Sequence, residues 1–403
     1  MRLIANRPLA WLAAAAIVCA SPSVAGAQEQ QQAEFESWGI SGWSFTPGVV
    51  VGALFDSNVG LANVGPGMKA ASDKLFELQP YGQLEFNGRR TMFASGYQGF
   101  LRRYFDFDEL NGFDSRAYMQ LRQKVTRRVT LLVDDNFLQT PTTDQLQLNG
   151  IPFQRTGSRY NGFSATVQAR LTPTVDLNNR YEFTWVDFVR KDTFLHGGFV
   201  NGDHTDVTKR LTDRASAGGE YGIRFADLNE GTHHLSFQEM GGVFRYRLDR
   251  DTLVETSGGM AFMHDYLRDD TRTGPYVRAR LTHHAARAVL GAEAGRTYVP
   301  TFAFGGSNQS EFVEGFIQMP ISRNRMYVEE SFAYRRSIPF LETETPLDSV
   351  WQRSVVGYAL QRWFRLEGYY QFTHQDTRLP GGNVNRHVAG VQFVVAQPVR
   401  LPS

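Results

Sequence analysis

From about residue 44 to residue 395 the chain repeats one arrangement: apolar and polar residues alternate through segments of roughly 12 to 17 residues, and turn-forming residues separate the segments. From Phe76 the even positions read Phe76, Leu78, Pro80, Gly82, Leu84 and Phe86, and the odd ones Glu77, Gln79, Tyr81, Gln83 and Glu85. Ala117, Met119, Leu121 and Val125 oppose Arg116, Tyr118, Gln120, Arg122 and Lys124. The same division sets Phe163, Ala165, Val167, Ala169 and Leu171 against Ser164, Thr166, Gln168 and Arg170. Val175, Leu177, Tyr181, Phe183 and Trp185 stand against Asp176, Asn178, Arg180, Glu182 and Thr184, and Leu366, Gly368, Tyr370 and Phe372 against Arg365, Glu367, Tyr369, Gln371 and Thr373. Successive side chains of a strand point to opposite faces, so each segment makes a strand with one apolar and one ionic face. No stretch carries a convincing helical stripe.

A soluble sandwich also alternates, and two further features of the pattern separate it from a membrane barrel. The segments exceed the roughly 5 to 6 residues usual in globular strands and suit tilted strands that need about 9 to 11 residues within hydrocarbon. The connections alternate in length. Tight links at Asn87-Gly88-Arg89, Thr126-Arg127, Thr172-Pro173, Thr212-Asp213, Asp249-Arg250, His284-Ala285, Arg323-Asn324 and Gln361-Arg362 interleave with longer ones such as Val59 to Ser72, Pro141 to Gly157 and Arg190 to His196. Short periplasmic turns and longer extracellular loops give that asymmetry.

Strand starts are expected near Ser44, Asp73, Arg90, Asp114, Arg128, Gly157, Thr174, Gly197, Asp213, Thr232, Asp251, Gly274, Ala286, Ser310, Asn324, Ser349, Phe364 and Asn385. The expected fold is therefore all-β, a closed antiparallel transmembrane barrel of about eighteen strands. Alternation is least clear between Phe194 and Leu248, where Gly218-Gly219 and Gly241-Gly242 intervene, and loss of a hairpin there would leave about sixteen.

The N-terminus adds the compartment. Arg2 and Arg7 precede an apolar run from Leu9 to Ala20, and Ala25-Gly26-Ala27 supplies small residues for cleavage. Residues 1–27 thus read as a secretory signal peptide, 28–43 as a short periplasmic segment and 44–403 as the barrel, placed in a bacterial outer membrane. Cys19, the single cysteine, lies in the leader, and Val18 before it does not suit lipoprotein processing, so no disulfide, thiolate or lipid anchor is expected in the mature chain. Lys+Arg 42 against Asp+Glu 41 gives no basic surplus for holding a nucleic acid. The N-terminal segment is too short for the plug of an energised transporter.

On the barrel reading the polar faces line the lumen. The candidate pore-lining residues are Glu77, Gln79, Gln83, Glu85, Arg116, Arg122, Lys124, Gln168, Arg170, Asp176, Arg180, Glu182, Arg278, Arg280, Glu314, Glu329 and Glu367. Opposed rows of acids and guanidinium groups would set a transverse field across a channel, whereas cross-strand pairs would only brace and hydrate the wall. Tyr81, Tyr118, Tyr276 and Tyr369 would offer stacking surfaces for sugar rings or pack the lumen. Phe45, Phe86, Tyr104, Phe105, Trp185, Phe188, Tyr298, Trp351, Trp363 and Phe364, near strand ends, are candidates for girdles at the two water boundaries.

Catalytic and cofactor chemistry finds little footing. His233-His234 and His283-His284 are adjacent strand residues facing opposite ways, a poor chelate. His264, Asp265 and Ser307 include the residue types of a hydrolase but lack a nucleophile motif. Gly241-Gly242, Gly258-Gly259 and Gly305-Gly306 lead into no helix that could cradle a phosphate. The chain is thus expected to be no enzyme and to carry no metal or cofactor.

Asp56-Ser57-Asn58-Val59, Phe100-Leu101-Arg102-Arg103-Tyr104-Phe105-Asp106 and His387-Val388-Ala389-Gly390-Val391-Gln392-Phe393-Val394-Val395 resemble stretches of outer-membrane barrels of the second putative β-barrel porin type, a family associated with exopolysaccharide export loci. The chain departs from common barrel practice in its end, since Ala396 to Ser403 follow where many barrels stop on an aromatic residue. The resemblance implies a conduit for a secreted polysaccharide, working with periplasmic polysaccharide export proteins in contact with outer-membrane lipid. Read without it, the same polar lumen fits a general or small-solute diffusion porin, and a structural or adhesive barrel is the third option.

Overall fold

The computed structural model describes residues 41–62, 70–146, 150–189, 195–229, 231–285, 288–302, 306–322, 325–340, 345–377 and 382–401. Residues 1–27, expected as a signal peptide, and most of the expected segment 28–43 lie outside the described residues, as do the expected turn residues Arg323 and Asn324.

The strands are β1 Gly42–Asp56, β2 Asp73–Asn87, β3 Thr91–Tyr104, β4 Gly112–Lys124, β5 Val129–Thr140, β6 Ser158–Arg170, β7 Val175–Phe188, β8 Gly198–Arg210 and β9 Ala215–Leu228. They continue as β10 His233–Arg247, β11 Thr252–Asp265, β12 Asp270–Ala285, β13 Ala288–Pro300, β14 Ser307–Ser322, β15 Met326–Pro339, β16 Leu347–Gln361, β17 Phe364–Asp376 and β18 Asn383–Ala396. Each pairs antiparallel with the next, and β1 pairs β18 from Gly48↔Ala396 to Asp56↔Val388, which closes an eighteen-stranded barrel. Closure pairs every strand on both sides and leaves no edge, which is what a spanning sheet needs in hydrocarbon. The expected starts all find their strands, and the glycine-rich stretch after Phe194 holds three of them rather than a lost hairpin.

That stretch is difficult to read because its glycines stack side by side across the sheet. Gly219 pairs Gly242, Gly242 pairs Gly258, and Gly241 pairs Gly259. A Cβ on Gly218 or Gly259 would run into the backbone carbonyl of Val207 or Met240. Neighbouring backbones approach closely here, and only residues without a side chain permit it.

The short turns reuse one device. The hydroxyls of Thr126, Thr172 and Thr212 each accept from the backbone N–H groups two and three residues on, at 3.0 to 3.3 Å. Asp249 does the same work with a carboxylate that accepts from Asp251 N–H and Thr252 Oγ1, both at 2.8 Å. Those bonds hold its carboxyl below the usual carboxylate range. Such local bonds fix tight reversals. The link expected at His284-Ala285 lies later, because both residues still pair with β13, as His284↔Val289 and Ala285↔Ala288.

The chain end is also paired. After Pro398, Val399 and Arg400 face Phe45 and Ser44 of β1, and Leu401 N–H donates to the Trp43 carbonyl at 3.0 Å. The tail therefore extends β18 by a short step instead of hanging free of the sheet.

Outward positions carry the exposed apolar residues, including Phe76, Tyr97, Phe113, Met240, Phe244, Val277, Val356 and Val391. Toward the short turns, Trp43 meets Phe86 and Phe93 at 5.0 and 6.0 Å, and Phe364 stacks between Trp363 and Phe393 at 5.9 Å. Four of the expected girdle residues lie elsewhere: Tyr104, Phe188, Tyr298 and Trp351 are buried within the barrel. Their ladder partners explain three of them, since Leu75, Ser158 and Thr373 share the inner face. Tyr298 follows β13 inward, because pairing of β12 with β13 stops at Val277↔Arg296.

Candidate functional site

The register puts every expected lumen residue on the inward face. Ladder partners share a face, so Glu77 with Arg102, Gln98 with Arg116, Thr166 with Arg180, Arg170 with Asp176, Arg280 with Glu293, Gln318 with Glu329 and Glu367 with Gln392 define it strand by strand. Arg122, Lys124, Gln168 and Arg170 stand toward the short-turn end and are exposed, while Glu77, Gln83, Glu85, Glu314 and Glu367 are buried.

The charges meet across and along neighbouring strands rather than as two opposed rows. Arg180 lies 2.8 Å from Glu182, Arg170 3.5 Å from Asp176, Arg280 2.6 Å and Arg278 3.4 Å from Glu293, Arg335 3.0 Å from Glu314, and Arg365 3.6 Å from Glu367. Arg102 bridges Glu77 and Asp114. Amides supply further donors: Gln83 donates to Glu85, Gln79 to Glu77, Gln318 to Glu329 and Gln392 to Glu367. Paired acids and bases of this kind brace a wall that water can enter.

The tyrosines lie flat on the wall. Tyr81 covers Gly48, Tyr118 covers Gly96, Tyr276 covers Gly241 and Tyr327 covers Gly357, each occupying the space a Cβ would need. Gly–aromatic packing of this kind pins register. Tyr276 also donates to Glu220 at 2.7 Å.

The outer half of the lumen is filled by loops that turn inward. The β5–β6 connection enters through a one-turn 3₁₀ helix, Thr143–Gln145, and crosses to the opposite wall. There Gly150 N–H donates to Ser337 Oγ at 3.1 Å, Phe153 N–H to Gln375 Oε1 at 2.7 Å, and Gln375 Nε2 returns a bond to the Ile151 carbonyl at 2.9 Å. Arg386 on β18 clasps Asp144 of the loop at 2.9 Å and Asp56 of β1 at 2.8 Å. Both carboxylates have 0% exposure and Arg386 only 6%. Leu146 and Ile151 of this loop, Leu195 after β7 and Phe302 after β13 then pack with wall residues Leu138, Phe188, Phe237 and Met263 into one buried apolar cluster.

Polar cavities remain beside this plug, among them two of note. One, about 230 Å³, is lined by residues that include Glu77, Arg102, Arg353, Arg365, Glu367 and Tyr369. The other, about 320 Å³, lies between β6–β9 and β12–β15, with Arg180, Glu182, His204, Arg278, Glu314 and Arg335 on its walls.

The sequence pattern alone had missed Arg102, Glu239, Glu293, Arg335, Arg353 and Arg386. Glu239 lies in the glycine block and Glu293 in Gly291-Ala292-Glu293-Ala294-Gly295, where small residues on both faces erase the alternation. Arg386 stands at the outer end of its strand, and its importance depends on a loop residue 242 positions away. The hydrolase candidates are not assembled, since His264 faces outward and Asp265 turns inward to His233 at 3.0 Å. His234 turns away from His233 and lies 3.6 Å from Asp227. Among the described residues, no group of three or more His, Cys, Asp or Glu is placed to hold a metal ion.

The chain matches no protein-family model and no curated protein. Solved structures with a similar trace include the outer membrane protein OpdK from Pseudomonas aeruginosa, at 9% identity and TM-score 0.41 over 88% of this chain and 99% of that one. OccAB4 from Acinetobacter baumannii gives 9% identity and TM-score 0.45 over 89% and 99%, and OpdO from Pseudomonas aeruginosa 11% and 0.43 over 89% and 98%.

Proposed function

We propose that the chain is an outer-membrane channel for small polar solutes, with the inward-facing charged and amide residues as its pore lining. The observation that carries this reading is the filled outer half of the lumen. A polymer conduit needs a continuous bore along its whole length, whereas the β5–β6 loop is tied across the barrel at Asp144, Gly150, Ile151 and Phe153. The cavities left beside it, about 230 and 320 Å³, are on the scale of roughly 300 Å³ at which pockets take small molecules. Passage of a polysaccharide would require the loop to leave, and the periplasmic export partners implied by the family resemblance belong to that reading.

The ion-paired wall suits passage of polar solutes without tight capture. Glu77, Glu182, Glu293, Glu314 and Glu367 each have a guanidinium partner, so a passing solute exchanges hydrogen bonds with a largely paired wall. Liposome swelling with solutes of graded size tests the proposal. Uptake that falls steeply from small amino acids and monosaccharides to oligosaccharides is expected. Equal uptake of long oligosaccharides, or no uptake of any solute, contradicts it.

A further inference from the structure

Among the described residues, the polar islands on the outward face, within the apolar belt, include two built around carboxylates. On β15 and β16, Glu330 accepts from Gln352 Nε2 at 2.9 Å and Ser354 Oγ at 2.5 Å, so that island is satisfied by its own members. The other spans β5 to β8. Asp203 accepts from Asn179 Nδ2 at 2.9 Å and Thr205 Oγ1 at 3.1 Å, and Asp135 accepts from Asn161 Nδ2 at 2.9 Å. Asn201 lies between them on the same face, opposite Phe183 and Phe225, and its carboxamide makes no hydrogen bond to any described residue. Around these groups Tyr181, Phe199, Val207, Tyr221 and Phe225 are exposed.

Lipid tails offer a carboxamide no partner, and charged groups on a barrel's lipid face are costly near mid-depth. Asp203 lies near the middle of β8, where that cost is greatest, and Asn201 stands two residues nearer the strand's start. We propose that the outer face of β5–β8 packs against the same face of a second copy of this chain, about a two-fold axis along the membrane normal. A two-fold contact must be self-complementary. This face is so, because it carries acceptors in Asp135 and Asp203 and groups that both donate and accept in Asn161, Asn179 and Asn201. The extent also suffices. Four strands about 4.8 Å apart, across a belt about 25 Å tall, cover about 480 Å² per copy. Doubled, and with side-chain relief added, that reaches the roughly 1,000 Å² of a specific interface. The Glu330 island, closed on itself, asks for no partner.

The test is energy transfer between donor- and acceptor-labelled full-length barrels in liposomes, read as the lipid-to-protein ratio rises. Wild type is expected to keep its transfer through dilution that abolishes random encounters. Asn201→Leu, which suits lipid and cannot bond across the two-fold, should lose pairing several-fold sooner, and Thr205→Val should weaken it in the same direction. Ser354→Ala, in the closed island, should leave transfer unchanged. In cells, a photo-crosslinking residue at position 201 should capture a second copy. The proposal is overturned if wild type dilutes as a monomer, if Asn201→Leu only raises thermal stability with transfer unchanged, or if the crosslink joins a different protein.

Discussion

Arg386 of β18 and Asp144 of the β5–β6 loop meet at 2.9 Å with Asp144 fully buried, so the wall of the barrel holds a loop that would otherwise be free to stand outside it. Arg386 also holds Asp56 at 2.8 Å, next to the seam where β18 closes on β1. One guanidinium thus ties the lumen's filling to the closure of the barrel.

Removing that cation leaves two buried carboxylates facing each other without a counter-charge. Arg386→Met is expected to destabilise the barrel by about 3 to 5 kcal/mol, the usual consequence of breaking a buried pair. Asp144→Asn keeps the Arg386–Asp56 pair and should cost much less while loosening the loop. Urea unfolding in detergent, followed by tryptophan fluorescence, checks the order of the two.

The facing assignment has its own test in two adjacent residues. Phe183 points outward and stacks on Phe199 at 6.2 Å, whereas Glu182 points inward beside Arg180. Phe183→Arg should lose roughly 2 to 4 kcal/mol of stability in a bilayer, the depth-dependent cost of a charge on the lipid face. Glu182→Arg, open to lumen water, should fold at near wild-type yield. Folding yields into liposomes, read by the mobility shift of folded barrels, decide it.

Tyr327 over Gly357 tests the packing of aromatics on the wall. A side chain at 357 has no space unless the ring moves, so Gly357→Val is expected to cost about 1 to 3 kcal/mol, as overpacking does. Gly368→Val, on the outward face of the neighbouring strand, meets only a carbonyl at 3.9 Å and should be nearly neutral. Thermal melts of the two variants give the comparison.

Shortening the chain after Ala396 removes the pairing of Val399 and Arg400 with Phe45 and Ser44. The truncated barrel should still assemble, because β18 keeps its full ladder to β17 and the main seam to β1. Its unfolding midpoint should fall, and refolding rates should show whether the tail also guides closure.

Much of the barrel was legible because its code is local. Alternation at Phe76 to Phe86 or Val175 to Trp185 marks both the strand and its faces, and Thr126, Thr172 and Thr212 announce turns that their own hydroxyls make. What the chain hid depends on contacts distant in sequence. Tyr298 reads as a boundary aromatic until β13 departs from β12, and Asp144 reads as an ordinary loop acid until Arg386 is placed opposite it. The glycines at 218, 219, 241 and 242 look like noise along one strand and become a close backbone approach only when the strands lie side by side. Lumen residues were found where both faces differ, as at Glu182, and missed where small residues flank them, as at Glu293.

Single-channel conductance of the wild type, against a variant in which residues 142–156 are replaced by a short glycine-serine turn, tests most directly whether the inward loop sets the bore. If the inward loop limits the lumen, wild type shows a small conductance and the shortened variant one several-fold larger, with faster uptake of oligosaccharides. Equal conductance in the two, with both barrels folded, would show that the loop does not set the bore and would contradict the small-solute reading built on it.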